Sequence, residues 1–250
     1  MNLIVGKNSF ISTALSNWLS GTYISYKELD TIDCSQFDTL YLLSFPNEYK
    51  FKIENEFKFE KKLFKAFKYK KIFIFSTSKI YPFYKNCDEL ILPEPSSYYA
   101  QNKLSIENLV TQYTEKYFIL RISNVFSNNR WSKDTFFDIL SKNYENDKII
   151  KFDVSLESVR DFITINSLED ILKKLSLSNK FGTYNVGSQK GLKIDKVLSL
   201  FFKKNDFNKI SKFQTNAIKS QTLNIKKLSD VINISNNTIH ADVINELENI

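Results

Sequence analysis

The chain reads as an α/β protein, a doubly wound parallel sheet, and three features of its sequence point there. Four short runs, NLIV (Asn2–Val5), TLYLLS (Thr39–Ser44), KIFIFSTS (Lys71–Ser78) and YFILRI (Tyr117–Ile122), each hold three or more consecutive apolar residues instead of alternating. A strand that is apolar on both faces is covered on both faces, the condition of a parallel sheet held between helix layers. Between these runs lie stretches whose apolar residues recur at helical spacing, and strands alternating with amphipathic helices give this architecture. Gly6 stands directly after the first run and ahead of the first helical stretch, where such sheets turn from strand to helix.

In order along the chain, NLIV is the first strand and KNSFISTALSNWL the first helix, on a stripe of Phe10, Ile11, Leu15, Trp18 and Leu19. Tyr23–Ser25 suggests a brief second strand and Thr39–Ser44 a third. From Glu48 to Lys70 two patterns overlap: Tyr49, Phe51 and Ile53 alternate, whereas Ile53, Phe57, Phe64 and Phe67 recur at helical spacing. The segment is read as mostly helix. Lys71–Ser78 is the next strand, Ser97–Lys116 a long helix and Tyr117–Ile122 the fifth strand. Beyond Asn124 the pattern predicts a helix near Thr135–Tyr144, a strand KIIKF (Lys148–Phe152), an extended segment SVRDFITI (Ser158–Ile165), a helix over Ser167–Leu175, a strand TYNVG (Thr183–Gly187) and a closing helix and tail. With only 5 Gly and 4 Pro and no low-complexity linker, a second lobe is woven into the first rather than strung after it.

Composition narrows the class. Of 250 residues 42% are hydrophobic and 15% aromatic, a globular profile able to bury a core. No run approaches the roughly eighteen uncharged apolar residues of a membrane span, and MNLIVGKNSF lacks a signal peptide's apolar stretch. A cytoplasmic protein with no membrane partner is expected. Cys34 and Cys87 show no metal spacing and no CxxC, and His240 has no partner motif, so neither a metal site nor histidine catalysis is expected. The net charge of +7 is almost all lysine, with only Arg121, Arg130 and Arg160 for bidentate contacts. The lysines mix with acids, as in FKFEKKLFKAFKYKK (Phe57–Lys71), which reads as a solvated helix face rather than a nucleic-acid interface.

The chemistry of such sheets sits at the carboxyl ends of the strands. GKNSFIS (Gly6–Ser12) keeps the spacing of a GxxGxxG phosphate loop with Ser9 and Ser12 at the later positions; an ordinary tight turn and a pyrophosphate cradle both fit it. A YxxxK spacing occurs four times, at Tyr23/Lys27, Tyr81/Lys85, Tyr99/Lys103 and Tyr144/Lys148, so spacing alone selects nothing. The third pair opens a helix just after the loop that follows FSTS, which puts both side chains on one helix face near that strand's end. There the Lys103 ammonium is expected to favour the phenolate and lower the Tyr99 pKa from its usual value of about 10, fitting it for proton transfer.

FSTSKIY (Phe75–Tyr81) followed by YAQNK (Tyr99–Lys103), with Glu107 four residues on, resembles the active-site region of the extended short-chain dehydrogenase/reductases, the NAD-dependent epimerase/dehydratase family acting on nucleotide sugars. In that family's order, LRISNVF (Leu120–Phe126) resembles its LRxxNVYG, VRDFITI (Val159–Ile165) its RDFIHV, TYNVGS (Thr183–Ser188) its YNVG, and LNIKKLSDVINI (Leu223–Ile234) its closing segment. The resemblance implies a Rossmann-type core over 1–125 with 161–187 returning to it, and a small interwoven C-terminal substrate lobe from 126–160 and 188–250. It implies that Thr77, Tyr99 and Lys103 are catalytic: Thr77 bonds the substrate oxygen, Tyr99 exchanges the proton, and Lys103 holds the nicotinamide ribose. Gly6, Ser9 and Phe10 then line the cofactor pyrophosphate, Leu43 and Ser44 pass beside the cofactor, and Ser78, Asn124 and Arg160 face the substrate.

Departures from the pattern refine this. Ser78 and Lys79 stand where dehydratases of the family carry an acidic pair, which disfavours dehydration. The second strand ends Ser25, Tyr26, Lys27 where NAD-preferring members end in aspartate, so a 2′-phosphate beside Lys27 is tolerated and NADP(H) is favoured over NAD(H). The expectation is an NADPH-dependent reductase of a nucleotide-linked 4-keto, 6-deoxy sugar, acting as a homodimer. A nucleotide-sugar 4-epimerase with tightly bound NAD, and a non-catalytic cofactor-binding scaffold, are the alternatives.

Overall fold

The computed structural model describes residues 1–127, 136–147, 149–151, 154–202, 211–213 and 215–249. In chain order its strands are β1 (Asn2–Val5), β2 (Thr22–Ile24), β3 (Thr39–Leu42), β4 (Lys71–Thr77), β5 (Tyr117–Ile122), β6 (Asn124–Phe126), β7 (Ile149–Lys151), β8 (Val159–Arg160), β9 (Phe162–Thr164), β10 (Gly182–Val186), β11 (Leu192–Lys193) and β12 (Ser211–Phe213). Its helices are α1 (Phe10–Leu15), α2 (Lys58–Ala66), α3 (Tyr98–Thr111), α4 (Phe136–Asp147), α5 (Ile165–Leu177), α6 (Ile194–Phe201), α7 (Lys226–Ile232) and α8 (Asn236–Glu248). The chain packs as two units, one of Met1–Pro82, Glu89–Ile122 and Leu172–Asn185, the other of Phe83–Asp88, Ser123–Ile171 and Val186–Ile250.

The first unit is built on a six-stranded sheet of order β10-β5-β4-β3-β1-β2. β1 runs parallel to β2 and β3, β3 to β4, and β4 to β5. Every residue of β4 after Lys71 and of β5 after Tyr117 is buried, which is why these runs carry no alternation. One set of side chains, among them Leu40, Ile72, Ile74 and Ile119, packs with Leu63 and Phe64 of α2 and Ile106 and Val110 of α3. The intervening positions stack rings across the strands, Tyr41 on Phe73 at 4.6 Å and Phe73 on Phe118 at 4.7 Å between centroids. The sheet grows in opposite directions from β1, to β2 one way and through β3 to β5 the other, so a switch point lies between β1 and β3.

Helix lengths differ most from the periodicity in three places. α1 stops at Leu15, and Trp18 and Leu19 continue only as turns whose N–H groups bond the Leu15 carbonyl. In the Glu48–Lys70 segment, α2 begins only at Lys58, because Phe57 takes the left-handed conformation at φ 46°. Glu54 fixes this entry by accepting hydrogen bonds from Glu56 N and Phe57 N at 2.8 and 3.4 Å. α3 ends at Thr111 rather than Lys116; the Thr114 hydroxyl accepts from Lys116 N at 3.1 Å and turns the chain into β5.

In the second unit β6 pairs with β9 and β7 with β12 in parallel, and β8 with β11 antiparallel. Phe126, Phe137, Phe162, Val197, Leu198, Val243 and Leu247 form its core. Asp161 staples it: the buried carboxylate accepts from Ser188 N and Oγ at 2.8 Å each, Gln189 N at 3.2 Å and Leu223 N at 3.0 Å. A Cβ on Gly187 would lie 2.9 Å from that carboxylate and would crowd it. Thr135, Lys148 and Phe152, at the ends of the predicted fourth helix and KIIKF strand, and Arg130 lie outside the described residues. Among the described residues no helix is long and apolar enough to cross a membrane.

Candidate active site

The ends of β1, β2 and β3 converge on Gly6. Val5 O accepts from Leu43 N at 2.9 Å and Ser44 N at 2.8 Å, while Gly6 N and Lys7 N donate to Ile24 O at 2.7 and 3.1 Å. Gly6 has φ +121°, and a Cβ there would come within 2.7 Å of Ser44 N. Only glycine satisfies both demands. Ser9 caps α1 by accepting from Ser12 N at 3.1 Å, and Phe10 beside it is half-buried. Ser12 is fully buried, small enough to let α1 sit close on the sheet, and its Oγ has no partner among the described residues. Leu43 and Ser44 are buried at the mouth of the switch point.

At the end of β2 a carboxylate is present after all, three residues beyond Ser25. Glu28 accepts from Ser25 N and from Lys7 Nζ, both at 2.6 Å, and Lys7 holds its carboxyl below the usual range. Lys27 is exposed, its backbone N–H donating to Ser25 Oγ at 3.3 Å. Glu28 stands three residues past Ser25 in sequence, and a capping box with Ser25 brings its carboxylate back to the strand end.

Thr77 closes β4 and caps a short turn, its hydroxyl accepting from Lys79 N at 3.2 Å. The same hydroxyl is hydrogen-bonded to the Tyr99 phenol. Ser78 follows, buried, in that turn, and Lys79 reaches back over the Tyr99 ring at 5.8 Å. Ser97 caps α3 by accepting from Ala100 N at 3.3 Å, which starts the helix so that Tyr99 and Lys103 both face the end of β4. Lys103 is buried, and its Nζ donates to Phe75 O at 2.6 Å while lying 4.6 Å from the Phe45 ring centre.

The electrostatics correct one expectation. The Tyr99 pKa is raised, not lowered: burial acts most, and the Thr77 hydrogen bond offsets only part of it. Lys103 directs its ammonium at a β4 carbonyl and at Phe45, and burial lowers its own pKa to about 8. Without a ligand, Tyr99 at neutral pH is therefore a protonated phenol.

Behind this pair lies a buried network that holds it in register. Glu107, one turn beyond Lys103, bonds Ser76 Oγ and receives Arg121 NH2 at 2.8 Å and Nε at 3.1 Å. Arg121 NH1 donates to the Tyr81 hydroxyl at 2.7 Å, which donates to Asn185 Oδ1 at 2.9 Å. In the second unit Asn124 Nδ2 donates to Asp161 O at 2.8 Å. Arg160 NH1 donates to the carbonyls of Val159 and Lys219, with its guanidinium 5.5 Å from the Phe83 ring centre.

A glycine turn at a switch point, buried small residues around it, and a lysine with one ammonium N–H committed to a strand-end carbonyl fit a dinucleotide with its nicotinamide end toward Tyr99. This fold and site define the dinucleotide-dependent α/β enzymes. The sequence profile of the NAD dependent epimerase/dehydratase family matches residues 46–187. The chain belongs to that family. No curated protein matches it in sequence. Solved structures it resembles include the UDP-glucuronic acid 4-epimerase from Bacillus cereus in complex with NAD, at 21% identity over 99% of this chain and 96% of that one, TM-score 0.75. They also include the UDP-N-acetylglucosamine 4-epimerase from Methanobrevibacter ruminantium M1, at 19% identity over 99% and 96%, TM-score 0.77. RMD from Pseudomonas aeruginosa complexed with NADPH aligns at 16% identity over 100% and 99%, TM-score 0.69. At these identities the likeness carries the fold.

Proposed function

We propose that the protein is an NADPH-dependent reductase of a nucleotide-linked 4-keto sugar. The observation that supports this reading is the placing of Tyr99 beside the Thr77 hydroxyl at the end of β4, one helical turn from Lys103, whose Nζ is anchored on Phe75 O at 2.6 Å. Reduction of a ketone needs a proton donor at the oxygen, whereas oxidation of an alcohol, the first half of an epimerase cycle, needs a base there. The cofactor, when bound, supplies a hydride to the carbonyl carbon. Tyr99 gives its proton to the carbonyl oxygen as Thr77 holds that oxygen in place, and Lys103 holds the nicotinamide ribose. Gly6, Ser9 and Phe10 take the pyrophosphate. Leu43 and Ser44 flank the cofactor, and Lys27 receives the adenosine 2′-phosphate, a preference aided by Glu28 being already engaged by Lys7 and Ser25 N.

Ser78, Asn124 and Arg160 complete the reading as substrate contacts, with Arg160 suited to a diphosphate by its guanidinium fork. A homodimer through α3 belongs to the same reading, checked by light scattering. The test of function is to mix the protein with NADPH and a panel of nucleotide-linked keto sugars and follow nicotinamide absorbance. Oxidation of NADPH is the expected result, and Tyr99→Phe lowers turnover by roughly two to four orders of magnitude with cofactor affinity nearly unchanged. A protein that purifies with NAD resistant to dialysis and interconverts sugars without net NADPH use is an epimerase instead. Failure to bind either nucleotide leaves only a scaffold.

A further inference from the structure

One acid of the lysine-rich α2 is wholly enclosed. Glu60 has no exposed surface; its Oε2 accepts from the Tyr49 hydroxyl at 3.4 Å, and its Oε1 is buried without a partner among the described residues. A carboxyl group so placed is costly to keep charged, and its position is therefore informative. Lys103 is buried as well, on α3. An aromatic seam joins them: the Phe45 ring meets Tyr49 at 5.4 Å and Tyr99 at 5.0 Å, and Lys103 Nζ lies against the same ring. Asn102, fully buried on α3, fixes the segment bearing Tyr49 by donating to Tyr49 O at 2.8 Å and Lys52 O at 2.7 Å and accepting from Glu54 N at 2.9 Å.

We propose that Glu60 is a positioning residue for Lys103, an enclosed carboxyl group whose negative charge keeps the Lys103 ammonium in its charged form at the cofactor site. The inference rests on Lys103 holding the nicotinamide ribose, as proposed above. Glu60 is faced by Tyr49 and Glu54 from the segment before α2 and by Lys103 from α3; Lys103 is faced by Glu107 on its own helix and by Glu60. Burial raises Glu60 to about 7, and burial lowers Lys103 to about 8 against the pull of Glu107 and then Glu60. As pH rises Glu60 loses its proton first, and the charge it gains then delays the loss from Lys103. Glu60→Gln keeps the shape and removes that charge, so Lys103 gives up its proton at lower pH.

The experiment is a fluorescence titration of NADPH from pH 6 to about 10, with the melting temperature at each pH, for the wild type, Glu60→Gln, Tyr49→Phe and Lys103→Ala. The alkaline limb, where affinity falls, is expected to move down by roughly one pH unit in Glu60→Gln. In Tyr49→Phe, where Glu60 stays protonated to higher pH, it moves the same way by less. A role in folding alone changes the melting temperature and leaves the limb in place; that result, in both variants, overturns the proposal. If Lys103→Ala binds NADPH like the wild type, the reading of Lys103 itself fails. If Lys103→Ala weakens binding and the limb in the other two variants stays put, only the role of Glu60 fails.

Discussion

Lys103 and Glu60 are buried ionisable groups whose folded pKa values move toward one another, and this gives stability a pH dependence that can be assigned residue by residue. Glu60 is raised from 4.5 to about 7, so its protonated form stabilises the fold fully below about 4.5, and this is lost as pH rises through about 7. Lys103 is lowered from 10.5 to about 8. Burying its ammonium destabilises the fold below about 8, and the penalty is relieved as pH climbs toward about 10.5. A shift of either size corresponds to on the order of 3 kcal/mol. Relative to wild type, Glu60→Gln is expected to remove a decline in stability between pH 4.5 and 7, and Lys103→Met a rise between 8 and 10.5, in urea denaturation at stepped pH. Parallel curves for variant and wild type across either window contradict the assignment. Neither effect was legible in the sequence. Spacing and context single out Tyr99 and Lys103 as a pair, but the direction of a pKa shift depends on what encloses the group, and Glu60 lies in a stretch that reads as solvated.

At the scale of elements, strand identity was plain because β4 and β5 are buried along nearly their whole length and, past Lys71 and Tyr117, carry no polar residue until the functional end. Helix ends were not, because they turn on single interactions: the left-handed Phe57 and the Glu54 carboxylate before α2, the Thr114 hydroxyl after α3. The tie between elements that matters most for the site is the Glu107–Arg121 pair, 3% and 9% exposed, which joins α3 to β5 and through Ser76 to β4. Two ions enclosed together are near neutral in net worth, but removing one leaves the other uncompensated. Glu107→Gln or Arg121→Met alone is expected to cost about 3–5 kcal/mol in urea unfolding, and the double variant less than the sum of the two. Additive losses would show that the pair does not act as a unit. Surviving Glu107→Gln enzyme should also turn over more slowly, since Thr77 follows Ser76 on β4 and Tyr99 shares α3 with Glu107.

For the whole molecule, the net charge of +7 draws in anionic ligands of any kind, so charge alone does not choose between NADPH and NADH. The choice falls to the end of β2, where Lys7 and Lys27 stand beside one carboxylate, Glu28, already held by Lys7 at 2.6 Å. A ligand that binds only the folded state stabilises it by about 2.7 kcal/mol at one hundred times its Kd. For a chain of this size that is a rise of roughly 5–10 °C in the melting of the unit that binds it. NADPH is expected to give the larger rise, and the margin over NADH should shrink in about 0.5 M salt because it rests on exposed lysines. Glu28→Ala frees Lys7 and removes the negative charge held against it, so it should widen the margin. A larger shift with NADH, lost in Glu28→Ala, would mean that Glu28 accepts the ribose hydroxyls and that the lysines serve only to hold it.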